Sequence, residues 1–279
     1  MSDDKGGRNG RSDMIAAQRH LFILDVLNDQ GAASIQQLSD RIGASFSTIR
    51  RDLDHLAEQA LVVRTRGGAT RPADQPAAGT ASPPEAPAAT PPGAVHEAKR
   101  AIGEAAALRV EEGQTVILDS GQTVLEAARS IVARRMRVTA VTNSVRIAHE
   151  LAAASRIRLI LIGGTLRPNS FTLVGEPGQS FLERLHVDVA LINTQGVHGG
   201  VLRHKDIEIA TLNRRMMAAA DRSLLLADSW KFGMKAFCEV CPLTAFDEVI
   251  VDDGLAAAER RALDMAGVAL SLVSEPPAD

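Results

Sequence analysis

Tyrosine is absent from this 279-residue chain, and aromatic residues together make up only 3% of it. That excludes a protein that captures single-stranded nucleic acid by stacking bases on aromatic platforms. Cysteine is almost as scarce, since Cys238 and Cys241 form one C-x-x-C and nothing more. A zinc site needs a second pair of ligands, and the seven histidines are scattered, so the two thiols read as structural or incidental, with no metal and no cofactor expected. No run approaches the ~20 apolar residues of a membrane span, and the polar, glycine-containing amino terminus lacks the apolar centre of a signal peptide, which makes a cytoplasmic location the expectation. Positive charge is not in excess either: the formal net charge is −3. Any contact with nucleic acid must therefore come from local clustering of arginine. What is present is a 45% hydrophobic content, enough for a core, in a length that suggests about two domains of roughly 150 residues each.

The first domain is read at residues 14–71. Phe46, Ile49, Leu53 and Leu56 recur at three- and four-residue spacing and predict one buried stripe of a helix, leaving Ser47, Thr48, Arg51, Asp52 and His55 on the other face. Upstream, Ser34-Ile35-Gln36-Gln37 is a capping box that opens a short helix with Leu38 and Ile42 inward, and Gly43 marks where that helix stops. A preceding helix from about Met14 to Asn28 would pack Ile15, Leu21, Leu24 and Leu27 inward. Downstream, Arg64 and Arg66 sit two apart on a predicted strand and so share a face, and Gly67-Gly68 is expected to supply the positive φ angles of a hairpin turn. The whole reads as a winged helix-turn-helix. Its second helix fits the major groove of double-stranded DNA, where Arg50 or Arg51 would read guanine while Ser45, Ser47 and Thr48 hold phosphates, with His55 beside them and Arg64 and Arg66 gripping the backbone from the wing. The competing reading is a solvated arginine face, against which the capped helix pair and the arginine-bearing hairpin stand in the right order.

Residues 72–94 change abruptly to Pro, Ala, Gly and Thr and read as a linker. Over residues 95–275 apolar β-rich runs alternate with amphipathic helical patterns: Thr115 to Leu118, Val138 to Val141, Arg158 to Ile162, Val187 to Ile192, Ser223 to Leu226, Glu248 to Val251 and Val268 to Val273. Such alternation predicts an α/β domain with a mostly parallel sheet. Polar and glycine residues follow directly after these runs, at Asp119-Ser120-Gly121, Thr142-Asn143, Gly163-Gly164, Asn193 and Asp228. They collect at the carboxyl ends of the strands, where open α/β sheets bind ligands. In Asp119-Ser120-Gly121-Gln122-Thr123 the glycine allows close backbone approach, two hydroxyls can donate, and a helix beginning near Gln122 aims free amides at an anion such as phosphate. Lys231 lies just beyond another strand, where its ammonium could bind phosphate or could remain an ordinary surface charge; Trp230, beside it, could wall a pocket or belong to a core.

Thr48-Ile49-Arg50-Arg51-Asp52-Leu53 and Arg64-Thr65-Arg66-Gly67-Gly68-Ala69 resemble the signature of the DeoR family of bacterial transcription regulators. Leu118-Asp119-Ser120-Gly121 with Thr123, Val141-Thr142-Asn143-Ser144, Leu161-Ile162-Gly163-Gly164, Gly175-Glu176 and Leu226-Ala227-Asp228 with Lys231-Phe232-Gly233 resemble that family's effector domain, across Lys99 to Asp252. The resemblance implies a sensor similar in fold to ribose-5-phosphate isomerase and coenzyme A transferases, holding a phosphorylated sugar or related metabolite. It also implies an effector pocket lined by Asp119, Ser120, Gly121, Thr123, Asn143 and Lys231, beside which Gln122, Thr142, Gly163 and Gly164 lie at the same strand ends. The departures are Ala60 for a usual glycine, Arg66 for a common histidine, Gln122 for a usual threonine, Asn193-Thr194-Gln195-Gly196 for a smaller segment, and Trp230 for a usual serine.

Two function classes follow. In the first, the chain is a regulator, expected to be a repressor of carbohydrate metabolism genes, whose homo-oligomer, dimer or tetramer, sets its recognition helices roughly 34 Å apart and changes that spacing when a small phosphorylated effector binds. In the second it is a sugar-phosphate isomerase-like enzyme, with Asp119 or Glu208 as base and Lys231 stabilising an enediolate. The loop Gly196-Val197-His198-Gly199-Gly200, with His204, Lys205 and Glu208, would either close over the site or form a surface turn.

Overall fold

The computed structural model describes residues 16–30, 32–59, 61–70, 92–167 and 170–274. Ile15, the side chain of Leu21, Ala60 and the linker residues 71–91 lie outside the described residues. The chain divides into two compact units, one ending at Ala78 and the other beginning at Gly79.

In the first unit α1 (Ala16–Gln30) is followed by β1 (Ala32–Ser34), α2 (Ile35–Ile42), α3 (Phe46–Glu58), β2 (Val63–Thr65) and β3 (Gly68–Thr70). Ser34 closes the expected capping box with Gln37, and Gly43 ends α2 at φ 70°, the left-handed conformation that glycine reaches without a Cβ penalty. Ile49, Leu53 and Leu56 of α3 are buried against Ile23, Val26 and Leu27 of α1 and Leu38 and Ile42 of α2. Phe46 is not part of this stripe: it stands 47% exposed at the first position of α3. Asp52, expected outward, is instead buried and accepts from Arg19 Nε at 2.8 Å and Nη2 at 3.1 Å, with His20 Nε2 at 3.0 Å. Periodicity does not show this, because the partner that draws the carboxylate inward lies 33 residues away.

The wing also differs from the sequence expectation. Neither Gly67 nor Gly68 is at positive φ. β1, which the sequence reading did not contain, pairs antiparallel with β3, opposing Ser34 to Gly68. A Cβ on Gly68 would fall 1.9 Å from the Ala33 carbonyl oxygen, so glycine is there to let two backbones meet. Arg64 lies in β2 whereas Arg66 lies in the turn, so the two arginines do not share a strand face.

The second unit runs α4 (Pro92–Ala107), β4 (Thr115–Leu118), α5 (Gln122–Ala133), β5 (Thr139–Thr142), α6 (Val145–Ala152), β6 (Arg158–Leu161), β7 (Thr165–Leu166), β8 (Leu173–Val174), α7 (Gly178–Leu182), β9 (Val187–Asn193), β10 (Gly196–His198), β11 (Val201–His204), α8 (Ile207–Ala218), β12 (Ala220–Ala227), β13 (Cys238–Pro242), β14 (Glu248–Asp252), α9 (Ala257–Met265) and β15 (Leu270–Val273). α4 opens at Pro92, inside the stretch read as linker; proline suits a first helical turn, where its missing N–H is no loss. The seven apolar runs form one parallel sheet of order β15-β14-β12-β9-β4-β5-β6. Alternate residues feed two cores. Val116, Leu118, Val189, Leu191, Leu224 and Leu226 face α4, α5 and α6, while Ile117, Ala190, Ile192, Leu225 and Val249 face the side covered by α7, α8 and α9. After β9 the chain makes a hairpin whose exposed turn is Gly199-Gly200, both at positive φ, as the surface-turn reading had it: β10 and β11 pair with each other and β11 pairs with β13 in an antiparallel sheet.

Strands β4, β5 and β6 proceed to one side of the large sheet, and β9, β12, β14 and β15 to the other. The order reverses between β4 and β9. There the loops beyond the strand ends diverge and leave a crevice.

Candidate functional site

On the first unit Ser45 caps α3, accepting from the Thr48 backbone N–H at 3.2 Å while its Oγ stands 2.8 Å from Ser47 Oγ and 2.9 Å from Thr48 Oγ1. The start of α3 is thus a cluster of hydroxyls around helix N–H groups. Arg50 and Arg51 are exposed one and two residues beyond Ile49. His55 is exposed too, but it is oriented by Gln59 Nε2 at 3.0 Å and by stacking on His20 with 5.1 Å between ring centroids. Arg64 is half-buried, paired with Asp54 at 3.0 Å and donating to the Gly68 carbonyl at 3.2 Å. The pairing directs it back onto α3, whereas Arg66 projects from the turn.

In the second unit a cavity opens at the reversal point between β4 and β9. Ser120, Gly121, Gln122 and Thr123 line it after β4, Asn193, Thr194 and Gln195 at the end of β9, and Lys231 after β12. Lys99 of α4, Arg167, Thr172, His204 and Ile209 complete the wall. Gly121 precedes α5 with no side-chain cap, leaving the first helix N–H groups free. A Cβ there would come 2.5 Å from Asn193 Cγ, so glycine at this position makes room for the Asn193 side chain at the end of β9. Thr123 Oγ1 is fully buried in the lining and has no hydrogen-bond partner.

The cavity is cationic by construction. Asp228, with no exposed surface, holds Lys99 Nζ at 3.1 Å from Oδ1 and Lys231 Nζ at 3.1 Å from Oδ2. Two ammonium groups thus share one carboxylate. Burial pushes the Asp228 carboxyl up, but Lys231 and Lys99 outweigh it and hold the group below the ordinary aspartate value. Burial lowers the Lys231 ammonium, opposed by Asp228 and reinforced by Lys99. Lys231 also donates to Asn193 Oδ1 at 3.3 Å. Both ammonium groups lie over the Trp230 ring, 5.7 Å and 5.8 Å from its centroid. Arg167 is tied to Asp206 at 2.5 Å. His204 accepts from the Asp206 N–H, and burial, with Arg167, Lys231 and Lys205 acting in the same direction, pulls its pKa down to about 4, so it is neutral. Such a pocket offers an anion two lysines, free helix amides and hydroxyls.

The expected effector residues divide. Ser120, Gly121, Gln122, Thr123 and Lys231 line the cavity. Asp119, Thr142, Asn143, Gly163 and Gly164 do not. Asp119 lies beneath the loop, accepting from the Ser120 N–H at 2.7 Å, the Asn193 N–H at 3.1 Å and Asn213 Nδ2 at 2.9 Å. Burial lifts its pKa to about 6 against those three hydrogen bonds and the pull of Lys231. Thr142 spends its hydroxyl on the Leu118 carbonyl at 2.7 Å, bracing β5 to β4. Asn143 is fully buried, and its carbonyl takes the Leu173 N–H. Gly163 and Gly164 make room for Pro177 and for the Val174 carbonyl. Glu208 sits exposed in the first turn of α8 and is not part of the lining. Trp230 touches the lysines from outside the lining. Sequence reading missed Lys99, Arg167 and Thr172: Lys99 comes from a helix remote in sequence from the strand ends on which the expectation was built, and Arg167 and Thr172 lie just beyond Gly163-Gly164 on a segment that no apolar run marks. Among the described residues no group of three or more His, Cys, Asp or Glu could hold a metal ion. No helix among the described residues is long and apolar enough to cross a membrane.

Comparison with known proteins matches the two units separately. Residues 19–75 fit the DeoR-like helix-turn-helix domain and residues 94–253 the DeoR C terminal sensor domain. The HTH-type transcriptional regulator GlpR of Haloferax volcanii is 34% identical over 257 residues, covering 91% of this chain and 97% of that protein. The glycerol-3-phosphate regulon repressor of Escherichia coli (strain K12) is 29% identical over 240 residues, covering 86% and 92%. Among solved structures, ribose 5 phosphate isomerase A from Neisseria gonorrhoeae aligns with a TM-score of 0.36 at 16% identity, over 49% of this chain and 53% of that one.

Proposed function

The chain belongs to the DeoR family of transcriptional regulators, and from that premise we propose that it represses carbohydrate genes by binding operator DNA through α3 and the β2–β3 wing, under control of a phosphorylated sugar or polyol held in the cavity at the β4–β9 reversal. The observation that carries the effector half is the pair Lys99 and Lys231 on one buried carboxylate, facing the uncapped start of α5 and the unpartnered Thr123 hydroxyl. A phosphate monoester supplies acceptor oxygens for the uncapped N–H groups and the Thr123 hydroxyl, and negative charge for the two ammonium groups that share a single carboxylate. On the DNA side, the reading is supported by the exposure of Arg50, Arg51 and Arg66 and by the cluster of Ser45, Ser47 and Thr48 hydroxyls at the start of α3, a geometry that suits a phosphate.

A catalytic reading finds less support. Both Asp119 oxygens are occupied by N–H donors beneath the loop, and Glu208 is outside the lining. Neither carboxylate is placed to take a proton from a bound sugar. A homo-oligomer, dimer or tetramer, follows from the pairing of palindromic operators with two-fold protein symmetry.

Trp230, the only tryptophan, makes the proposal testable without labels. Titrating the full chain with glycerol 3-phosphate, ribose 5-phosphate and other phosphorylated sugars and polyols is expected to give saturable change in Trp230 emission for one of them, with no turnover. Turnover of a pentose phosphate would favour the enzyme, and emission unmoved by every phosphomonoester would remove the cavity from the account.

A further inference from the structure

Lys99 differs from every other described residue of the cavity wall in the element that carries it. The others belong to α5, to α8, to a strand end or to a loop within the second unit, whereas Lys99 sits on α4, the first described element after the chain that leads out of the first unit. The two ends of α4 are held in different ways. From Ala101 onward Ala101, Ile102, Ala105, Ala106 and Ala107 are buried, and Gly103 lies so close to α5 that a Cβ would fall 2.6 Å from the Ala127 backbone nitrogen. This half is fixed by apolar packing. In the half before it, His96, Glu97 and Arg100 are exposed and Val95 and Ala98 only partly covered. Among the described residues of that half, the shortest ion pair is Lys99 to Asp228 at 3.1 Å, with the ammonium also 5.7 Å from the Trp230 ring centroid.

Lys231, the other claimant on Asp228, sits in a short turn whose backbone is bonded to the sheet end: its N–H donates to the Asp228 carbonyl and the Gly233 N–H to Val197. An anion arriving at the start of α5 meets one ammonium on a fixed turn and one on a helix whose leading half depends on it. We propose that Lys99 is the transmitting residue of this protein: the anion draws Lys99 off Asp228, and the change in the opening turns of α4 is what the chain toward the DNA-binding unit receives. The inference deepens the effector reading and rests on it, yet its first test needs no effector.

The test uses the full chain in three forms, wild type, Lys99→Met and Lys99→Arg, with hydrogen exchange resolved by segment and operator affinity measured without ligand. Lys99→Met keeps the length and apolar stem but cannot hold Asp228. It is expected to speed amide exchange over residues 95–100 at least tenfold while the amides of α5 keep wild-type protection, and to change ligand-free operator affinity at least fivefold. Lys99→Arg, which restores the cation, is expected to return both toward wild type. Protection of α5 also reports whether the Met variant has folded; if it has not, Lys99→Gln takes its place in the same comparison. Exchange and operator affinity that match wild type in the folded neutral variant overturn the proposal, as does loosening that spreads equally through α5. These outcomes are separate from a failure of the effector reading, which shows as Trp230 emission in the wild type unmoved by phosphomonoesters.

Discussion

Asn213 of α8 donates through Nδ2 to Asp119 Oδ2 at 2.9 Å, tying a helix of one face of the sheet to the loop that begins the cavity. The carboxyl it holds is fully enclosed, and burial lifts its pKa to about 6. An aspartate raised in the folded state binds its proton more tightly folded than unfolded, so it favours the fold below the unfolded value and loses that contribution as pH rises through about 6. His204, lowered to about 4 by burial, works in the opposite sense. Comparing wild type with Asp119→Asn isolates the carboxyl. The stability of wild type relative to the variant is expected to improve by up to about 3 kcal/mol between pH 7 and pH 4. Denaturant melts at several pH values check this, and a difference independent of pH would contradict it.

Asp52 holds Arg19 and His20 from inside the first unit. Removing the carboxylate takes away the acceptor shared by two part-buried side chains, at a cost of about 1–3 kcal/mol. Asp52→Ala is therefore expected to lower the melting temperature of the DNA-binding unit, while operator preference among the molecules that remain folded stays the same. Changed preference at full stability would return Asp52 to the reading face.

Arg51 and Arg66 should fail differently. Arg51→Ala is expected to weaken specific operator binding by about 1–3 kcal/mol and relax sequence preference, as loss of a base contact does, whereas Arg66→Ala should weaken all duplexes alike and reduce the salt slope by about one unit. Binding isotherms on operator and random duplex at several salt concentrations separate the two. Equal losses on both duplexes for Arg51→Ala would place it on the backbone.

The winged sheet gives a sharper case. Gly68→Ala would set a methyl group 1.9 Å from the Ala33 carbonyl, on backbone that cannot swing aside. Loss of β1–β3 pairing is expected, seen as rapid exchange of the amides of Ala32–Ser34 and Gly68–Thr70; wild-type protection there would show that the paired backbones can shift to admit a Cβ and would contradict this role for Gly68.

The parallel sheet was legible in the sequence because its strands are continuous apolar runs, and the capped α2–α3 pair because Ser34, Gln37, Gly43 and Ser45 act on near neighbours in the chain. The reading went wrong where a distant partner decides. Asp52 turns inward for Arg19, Gly68 answers to Ala33, and Asp119 sinks below the loop to meet Asn193 and Asn213. At the cavity, five residues of the expected set stand in the wall because they follow β4 and β12 directly. Lys99 was invisible, since nothing local marks a lysine on α4 as facing the end of a strand far away in the sequence, and Arg167, though close behind Gly163-Gly164, follows a two-residue strand too short to be read.

The most direct test of the central claim follows operator binding and Trp230 emission in one sample of the full chain as a phosphomonoester is added. If an anion in the lysine-lined cavity governs the reading helix, the two signals change together with a common midpoint, and Lys231→Met abolishes both changes. Saturable Trp230 emission with operator affinity constant throughout would contradict the account.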